Sequence, residues 1–337
     1  MKKPLIILTG PTAVGKTDLS LRLARRIGGE IISADSMQVY RHMDIGSAKI
    51  MPQEMEGIPH HLIDVLEPSE SFHVVRFQQM AKEAMNAIYA NGHIPIVTGG
   101  TGFYIQALLY DIDFEDTCED TSYREMLEKL AEEKGDEELH RMVADVDPAS
   151  AEAIHCHNRK RLIRALEYYH LTGKRISEHN EQERQRSSPY DFSYFVLNRN
   201  RAVLYDRINR RVDQMMDAGL VEEVRRLKEM GYDRSYVSMQ GIGYKELLAW
   251  LDGELSLEDT VELIKKDTRH FAKRQLTWFK RERDITWIDL DTLSEDEALE
   301  RMVQAYQKEG CQQEQAAKCT GSSAERMSVS VMEQQRN

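Results

Sequence analysis

Eight consecutive residues, Gly10-Pro11-Thr12-Ala13-Val14-Gly15-Lys16-Thr17, carry the strongest chemical signal in the sequence. Their order fits G-x-x-x-x-G-K-[ST]. They lie between an apolar run, Leu5–Thr9, and a helical pattern, Thr17–Ile27, which is the context a phosphate loop needs. The glycines let the backbone curl into a nest of N–H donors, and the helix N-terminus adds partial positive charge. Lys16 would bridge phosphate oxygens and Thr17 would hold Mg²⁺. Such a loop binds a nucleotide such as ATP, or another diphosphate. It identifies the ligand class, not the reaction.

What the rest of the chain lacks narrows that reaction. A typical P-loop hydrolase places a magnesium-binding Asp at the end of a later apolar strand. The later strand here, Ile94–Thr98, runs into Gly99-Gly100-Thr101-Gly102, with no acid. The strand-end acid is Asp35, directly after the run Glu30–Ala34. In small-molecule kinases that position faces the acceptor rather than the metal. From these residues alone two readings stay open. One is a small-molecule kinase with Asp35 as base, and the other is an RNA-binding protein switched by its nucleotide.

Around these residues the sequence alternates apolar runs with helical periodicity, as a parallel α/β sheet with helices on its faces does. The pattern predicts strands at Leu5–Thr9, Glu30–Ala34, Ile94–Thr98, Tyr194–Leu197 and Thr286–Leu290, and a short one at His61–Val65. Helices are expected at Thr17–Ile27, Val75–Asn91, Leu204–Met230 with a break at Gly219, and Leu257–Arg283. From 113 to 189 the texture is helical, Glu- and Lys-rich and without a strand. We read a P-loop core over 1–112 and 190–308, an all-helical insertion over 113–189, and a disordered Gln- and Ser-rich tail over 309–337.

The composition is that of a globular protein with a real core: 41% hydrophobic and 30% charged over 337 residues. Apolar runs are far too short to cross a bilayer. Four scattered cysteines without a Cys-x-x-Cys pair argue against structural zinc and for a reducing cytoplasm. The segment His155-Cys156-His157 is not read as a metal site, because adjacent helical residues point in different directions. The net charge of −12 argues against a nucleic-acid partner taken whole, but the charge is uneven. Residues 111–152 hold 16 acidic and 4 basic side chains, whereas 159–175 and 269–283 each hold 6 basic and 1 acidic. Local basic patches bind phosphate whatever the global sum.

Seven segments in series resemble the bacterial tRNA dimethylallyltransferases, the IPP transferase family. Beyond the phosphate loop they are Ala-Asp-Ser-Met-Gln-Val-Tyr-Arg at 34–41, Gly-Ile-Pro-His-His-Leu-Ile-Asp at 57–64 and Gly-Gly-Thr-Gly-Phe-Tyr at 99–104. The series continues with Asn-Arg-Lys-Arg-Leu-Ile-Arg-Ala-Leu-Glu at 158–167, Gly-Ile-Gly-Tyr-Lys-Glu at 241–246 and Lys-Arg-Gln-Leu-Thr-Trp-Phe at 273–279. The resemblance implies a P-loop fold that moves a dimethylallyl group from its diphosphate to N6 of the adenine 3′ of the anticodon. The broken bond is then carbon–oxygen, so no water-activating acid is needed after Ile94–Thr98.

Further roles follow from the same resemblance. Asp35 is the candidate general base for a poorly nucleophilic amine. Lys16, Thr101 and Arg207 join it as catalytic candidates, with Arg211, one turn from Arg207, as second choice for the diphosphate clamp. Ser36, Met37, Gln38 and Thr101 would meet the adenine, and Gln38 is suited to pair with its edge. The tRNA backbone would be gripped by Arg124, Arg159, Lys160, Arg161 and Arg164, and by Lys273, Arg274, Lys280 and Arg281. His60 and His61 match the family pattern without an assigned role. The adenine must leave its stack to react. A channel with prenyl diphosphate at one mouth and the flipped base at the other is therefore expected, with the insertion closing on the anticodon stem. The enzyme is read as a monomer.

Overall fold

The computed structural model describes residues 2–114 and 122–307. The tail expected over 309–337 falls outside the described residues. Chain contacts separate two compact units, 1–108 with 190–337 and 109–189.

The larger unit is built on six parallel strands among the described residues, in the order β3-β2-β4-β1-β5-β6. These are β1 (Lys3–Thr9), β2 (Gly29–Ser33), β3 (His60–His61), β4 (Ile94–Gly99), β5 (Tyr190–Asn198) and β6 (Ile285–Asp289). β1 is central, and its Leu5, Ile6, Ile7 and Leu8 are each no more than 1% exposed. At roughly 1.5–3 kcal/mol for each fully buried large side chain, this run anchors the sheet. Helices α1 (Lys16–Ile27) and α2 (Val74–Ala90) pack on β2 and β4. α1 stops at Gly28, whose left-handed backbone donates to the Ala24 carbonyl.

The connection leaving β1 crosses to β2, on the far side of β4, while the connection leaving β4 crosses back to β5, on the far side of β1. The two loops therefore diverge at neighbouring strand ends. Ligands of open α/β sheets bind at such a switch point. Thr9 Oγ1 donates to the Gly99 carbonyl at 2.6 Å and holds the two strand ends together.

The expected strand at His61–Val65 is replaced by the two-residue β3. Leu62 and Asp64 take positive φ values of 62° and 55°, which no strand accommodates. The long pattern 204–230 forms two helices, α9 (Arg201–Asp217) and α10 (Leu220–Glu229), separated at Gly219 with φ 97°. α11 (Tyr244–Leu251) and α12 (Leu257–Phe279) follow, and a last helix covers 295–307.

α3 (Gly102–Leu109) leads out of the β4 loop. The smaller unit then contains α4 (Ser122–Lys134), α5 (Asp136–Val146), α6 (Pro148–Ala153), α7 (Arg159–Thr172) and α8 (Ile176–Gln185). Leu127, Leu139, Val143, Leu162 and Leu166 form its core. Buried Asp147 caps α6 through the Ser150 amide and also accepts from the Ser177 amide and hydroxyl, so one carboxylate ties α6 to α8.

Candidate active site

At the carboxyl ends of β1, β2 and β4 lies a cavity of about 590 Å³. One wall is the loop between β1 and α1. Gly15 holds φ 112°, where a side chain would be strained, and this turn aims the start of α1 at the cavity. Lys16 Nζ donates to the carbonyls of Gly10 and Pro11, at 3.0 and 2.9 Å. Thr17 and Asp18, both exposed, stand beside it on the first turn of α1. Two arginines and a glutamine brace the loop. Arg199 Nε donates to Val14 O at 3.0 Å, and Arg207 Nε donates to Ala13 O at 2.8 Å. Gln275 Oε1 accepts from Thr12 N at 2.8 Å while its Nε2 donates to Gly100 O at 2.9 Å, stapling the loop to the end of β4.

Asp35 follows β2. Its Oδ1 accepts from Met37 N at 2.8 Å and Gln38 N at 3.4 Å, and Oδ2 has no hydrogen-bond partner among the described residues. Burial raises its pKa. The Met37 bond, the Lys16 charge and the Gln38 bond oppose that rise without cancelling it. Lys16 is lowered to about 8, by burial first, then by the Arg211 charge, with Asp35 pulling the other way. Lys16 also lines the cavity. Arg211 is likewise held below its ordinary value, by burial and then by Arg207. Lys16, Arg207, Arg211 and Asp35 thus share one cavity lining.

The lining also has apolar members. Along α9 the cavity meets Arg207 and Arg211, and with them Ile208, Val212 and Met215. Ile31, Ile50, Ile63, Phe72 and Ile264 line it as well. A site that combines cations with hydrocarbon surface suits a ligand with a charged head and an apolar tail.

The IPP transferase family model matches residues 38–282, and a second model, isopentenyl transferase, matches 3–69. A tRNA dimethylallyltransferase of Lachnoclostridium phytofermentans is 61% identical over 297 residues, covering 88% of this chain and 95% of that protein. The chain belongs to the IPP transferase family. Among solved structures, a full-length tRNA isopentenylpyrophosphate transferase from Bacillus halodurans is 42% identical with a TM-score of 0.70, covering 93% of this chain and all of that one. A eukaryotic dimethylallyltransferase described as acting on tRNA is 33% identical with a TM-score of 0.75, covering 88% of this chain and 78% of that one.

Of the family residues expected from sequence, Thr12, Ala13, Gly15, Lys16, Thr17, Asp35, Ser36, Met37, Gln38, Arg207, Arg211 and Arg274 line this cavity. Thr101 does not. It follows the lining Gly100, and its backbone starts α3: its N–H donates to Ala34 O and its carbonyl accepts from Tyr104 N. Gln38 lines the cavity with both ends of its amide engaged. Nε2 donates to the carbonyls of Ser47 and Ala48, and Oε1 accepts from Ser33 Oγ. The structure makes Gln38 a brace for Asp35.

The basic residues divide in the same way. Arg124 is bound by both oxygens of Glu167, and Arg159 by Asp136 at 2.6 Å, so acids of their own unit neutralise both. Lys160, Arg161, Arg164, Lys273, Lys280 and Arg281 form no ion pair among the described residues. The two histidines separate because neighbouring strand residues face opposite ways. His60 lines the cavity with its pKa lowered by burial, while His61 Nε2 lies 2.7 Å from buried Glu30.

Sequence reading missed one buried support. Glu223 of α10 is 3% exposed. It accepts from the backbone N–H groups of Asp44, Ile45 and Gly46, at 2.9, 2.8 and 3.1 Å, and from Tyr244 Oη at 2.8 Å. It thereby holds the loop whose carbonyls hold Gln38. Lys49, its side chain fully buried, locks the same loop through Asp44, Asp64 and the Tyr40 carbonyl. A signal existed in the Gly-Ile-Gly-Tyr segment at 241–244, but nothing in the spacing linked it to Glu223.

Proposed function

We infer that this chain is a tRNA prenyltransferase that moves a dimethylallyl group from dimethylallyl diphosphate to N6 of the adenine 3′ of the anticodon, releasing diphosphate. One observation carries the reading: a carboxylate of raised pKa and a P-loop lysine act on each other's charge inside a cavity that is also lined by Ile31, Ile208, Val212 and Met215. Membership of the family, and relatives named for this activity, support it.

In this reading the diphosphate lies against the loop 10–17, with Lys16, Arg207 and Arg211 receiving the charge that grows on the bridging oxygen as the carbon–oxygen bond breaks. Asp35 takes the N6 proton through Oδ2. Its raised pKa makes it a stronger base than an ordinary carboxylate, while the neighbouring Lys16 charge opposes that rise. Ser36 and Met37 flank the base, and Gln38 keeps Asp35 in place. The hydrocarbon side of the cavity shields the allylic carbon from water.

Magnesium fits the first turn of α1. Thr17 offers a hydroxyl, Asp18 a nearby carboxylate, and no cluster of three or more potential metal-binding acids, histidines or cysteines occurs among the described residues. Mg²⁺ prefers such sparse sites, where substrate phosphates and water fill its shell. When bound there it would neutralise leaving-group charge.

We place the enzyme in the cytoplasm as a monomer acting on free tRNA; no helix among the described residues is long and apolar enough to cross a membrane. The test is incubation with unmodified tRNA, Mg²⁺ and radiolabelled dimethylallyl diphosphate. Label in the RNA, lost in Asp35→Asn, supports the reading. ATP turnover without labelled RNA would instead favour a kinase with Asp35 as base.

A further inference from the structure

The Gly-Phe-Tyr end of the 99–104 segment has one residue left over. Gly100 and Tyr104 line the cavity, but Phe103 between them is 41% exposed. A single exposed apolar residue needs no explanation by itself. Three features distinguish this one.

First, the ring is held in place. The Trp278 indole meets it edge to face, with centroids 6.1 Å apart at 68°. The indole is seated against the start of α3 because position 102 is glycine. A Cβ there would lie 2.3 Å from Trp278 Cδ1. Second, its partner Trp278 sits in a run of cations. Trp278 lies four residues after Arg274, on one face of α12, and just before Lys280 and Arg281. Lys273, Arg274, Lys280 and Arg281 are exposed and make no ion pair among the described residues. Third, the patch adjoins the active site, since Arg274 reaches the cavity and Gly100 borders it. An exposed aromatic ring packed on a helix end that carries unpaired cations suits an unstacked nucleobase with its phosphates.

We propose that Phe103, backed by Trp278, is the stacking platform for a nucleotide adjacent to the target adenine. The proposal rests on the tRNA reading above. Withdrawing one base from an RNA stack exposes the faces of its neighbours, and a fixed ring at the rim of the cavity replaces the lost contact. Phe103 is a binding residue in this scheme and has no part in bond breaking.

A thermodynamic cycle tests it. Binding of an anticodon stem-loop RNA is measured for the wild-type enzyme and Phe103→Ala, using the intact RNA and two RNAs made abasic on the 5′ or 3′ side of the target adenine. Loss of one base–aromatic stack corresponds to about 5- to 150-fold in affinity. The expected result is that Phe103→Ala weakens the intact RNA by about 10-fold or more and has little further effect on one of the abasic RNAs. Phe103→Tyr should bind like wild type, and the KM for dimethylallyl diphosphate should not move. Equal effects of Phe103→Ala on all three RNAs, or none on the intact one, would overturn the proposal. If the wild-type enzyme modifies the stem-loop while the cycle is additive, only the stacking platform fails. If it neither binds nor modifies the RNA, the tRNA reading falls as well.

Discussion

Replacing Glu223 with glutamine leaves its shape intact and removes one of two carboxylate oxygens that together accept four hydrogen bonds. Oε2 takes the Asp44 and Ile45 amides, and Oε1 takes the Gly46 amide and the Tyr244 hydroxyl. In either orientation an NH₂ group faces donors at a side chain that is 3% exposed. Bonds to a charged acceptor contribute about 1.5–3 kcal/mol each. Two are lost, and the Tyr244 hydroxyl can recover part of one by turning to accept. The expected loss of stability is about 3–5 kcal/mol, against a total of roughly 5–15 kcal/mol for a protein. The chain stays folded, but residues 44–48 loosen. Their carbonyls hold Gln38, and the Gln38 and Met37 amides hold Asp35. The phosphate loop is braced separately, by Gln275, Arg199 and Arg207. The kinetic signature is therefore a kcat lowered by about 10-fold, in the range of losing general-base geometry, with the KM for dimethylallyl diphosphate nearly unchanged. Urea unfolding and steady-state transfer to tRNA measure both arms. A stability loss under about 1 kcal/mol, or a change confined to KM, would show that this carboxylate does not position the base.

Asp35→Asn should lower kcat by about 10²-fold or more while leaving tRNA binding intact, because the amide keeps the turn and loses the proton acceptor; near-normal turnover in a labelling assay would remove Asp35 from the mechanism. Lys16, lowered to about 8 by burial and then Arg211, should make kcat/KM for dimethylallyl diphosphate fall as pH rises through that value, since the neutral amine no longer attracts diphosphate; a profile flat to pH 10 would refute it. The same shift has a stability consequence of defined sign. Between pH 8 and the ordinary lysine value of 10.5 the unfolded chain binds more protons than the folded one, so stability due to Lys16 rises with pH across that window, readable by urea unfolding at fixed pH values. Lys273→Ala should weaken tRNA binding and lower the slope of log affinity against log salt by about one, as loss of one phosphate contact does; an unchanged slope would mean that Lys273 does not touch phosphate.

Local signals in the sequence reached as far as local physics does. The phosphate loop was legible because its glycines, lysine and threonine act through backbone geometry within eight residues. The buried strands were legible because parallel strands covered on both faces are apolar throughout, as Leu5–Leu8 are. What the sequence did not show depended on partners distant in it. The His61–Val65 pattern reads as a strand by residue type, yet Leu62 and Asp64 turn left-handed, and Asp64 pairs with Lys49 fifteen residues earlier. Gln38 has the donor and acceptor to read adenine, but Ser33, Ser47 and Ala48 take both. Arg124 and Arg159 look like phosphate ligands until Glu167 and Asp136 are seen opposite them.

Arg159 of the basic 159–175 segment is thus paired with Asp136 of the acidic 111–152 segment, whereas Lys273, Arg274, Lys280 and Arg281 form no ion pair among the described residues. A charge free of intramolecular partners keeps its full field for a ligand, while a paired one must first break its bridge. This distinction moves the expected tRNA contacts toward Lys273, Arg274, Lys280 and Arg281, and within the helical unit toward Lys160, Arg161 and Arg164. Substitutions there should change the salt dependence of binding more than substitutions at Arg124 or Arg159. If Arg159→Ala lowered the salt slope as much as Lys273→Ala, the Asp136 bridge would have to open in the complex, and intramolecular pairing would be no guide to where the RNA lies.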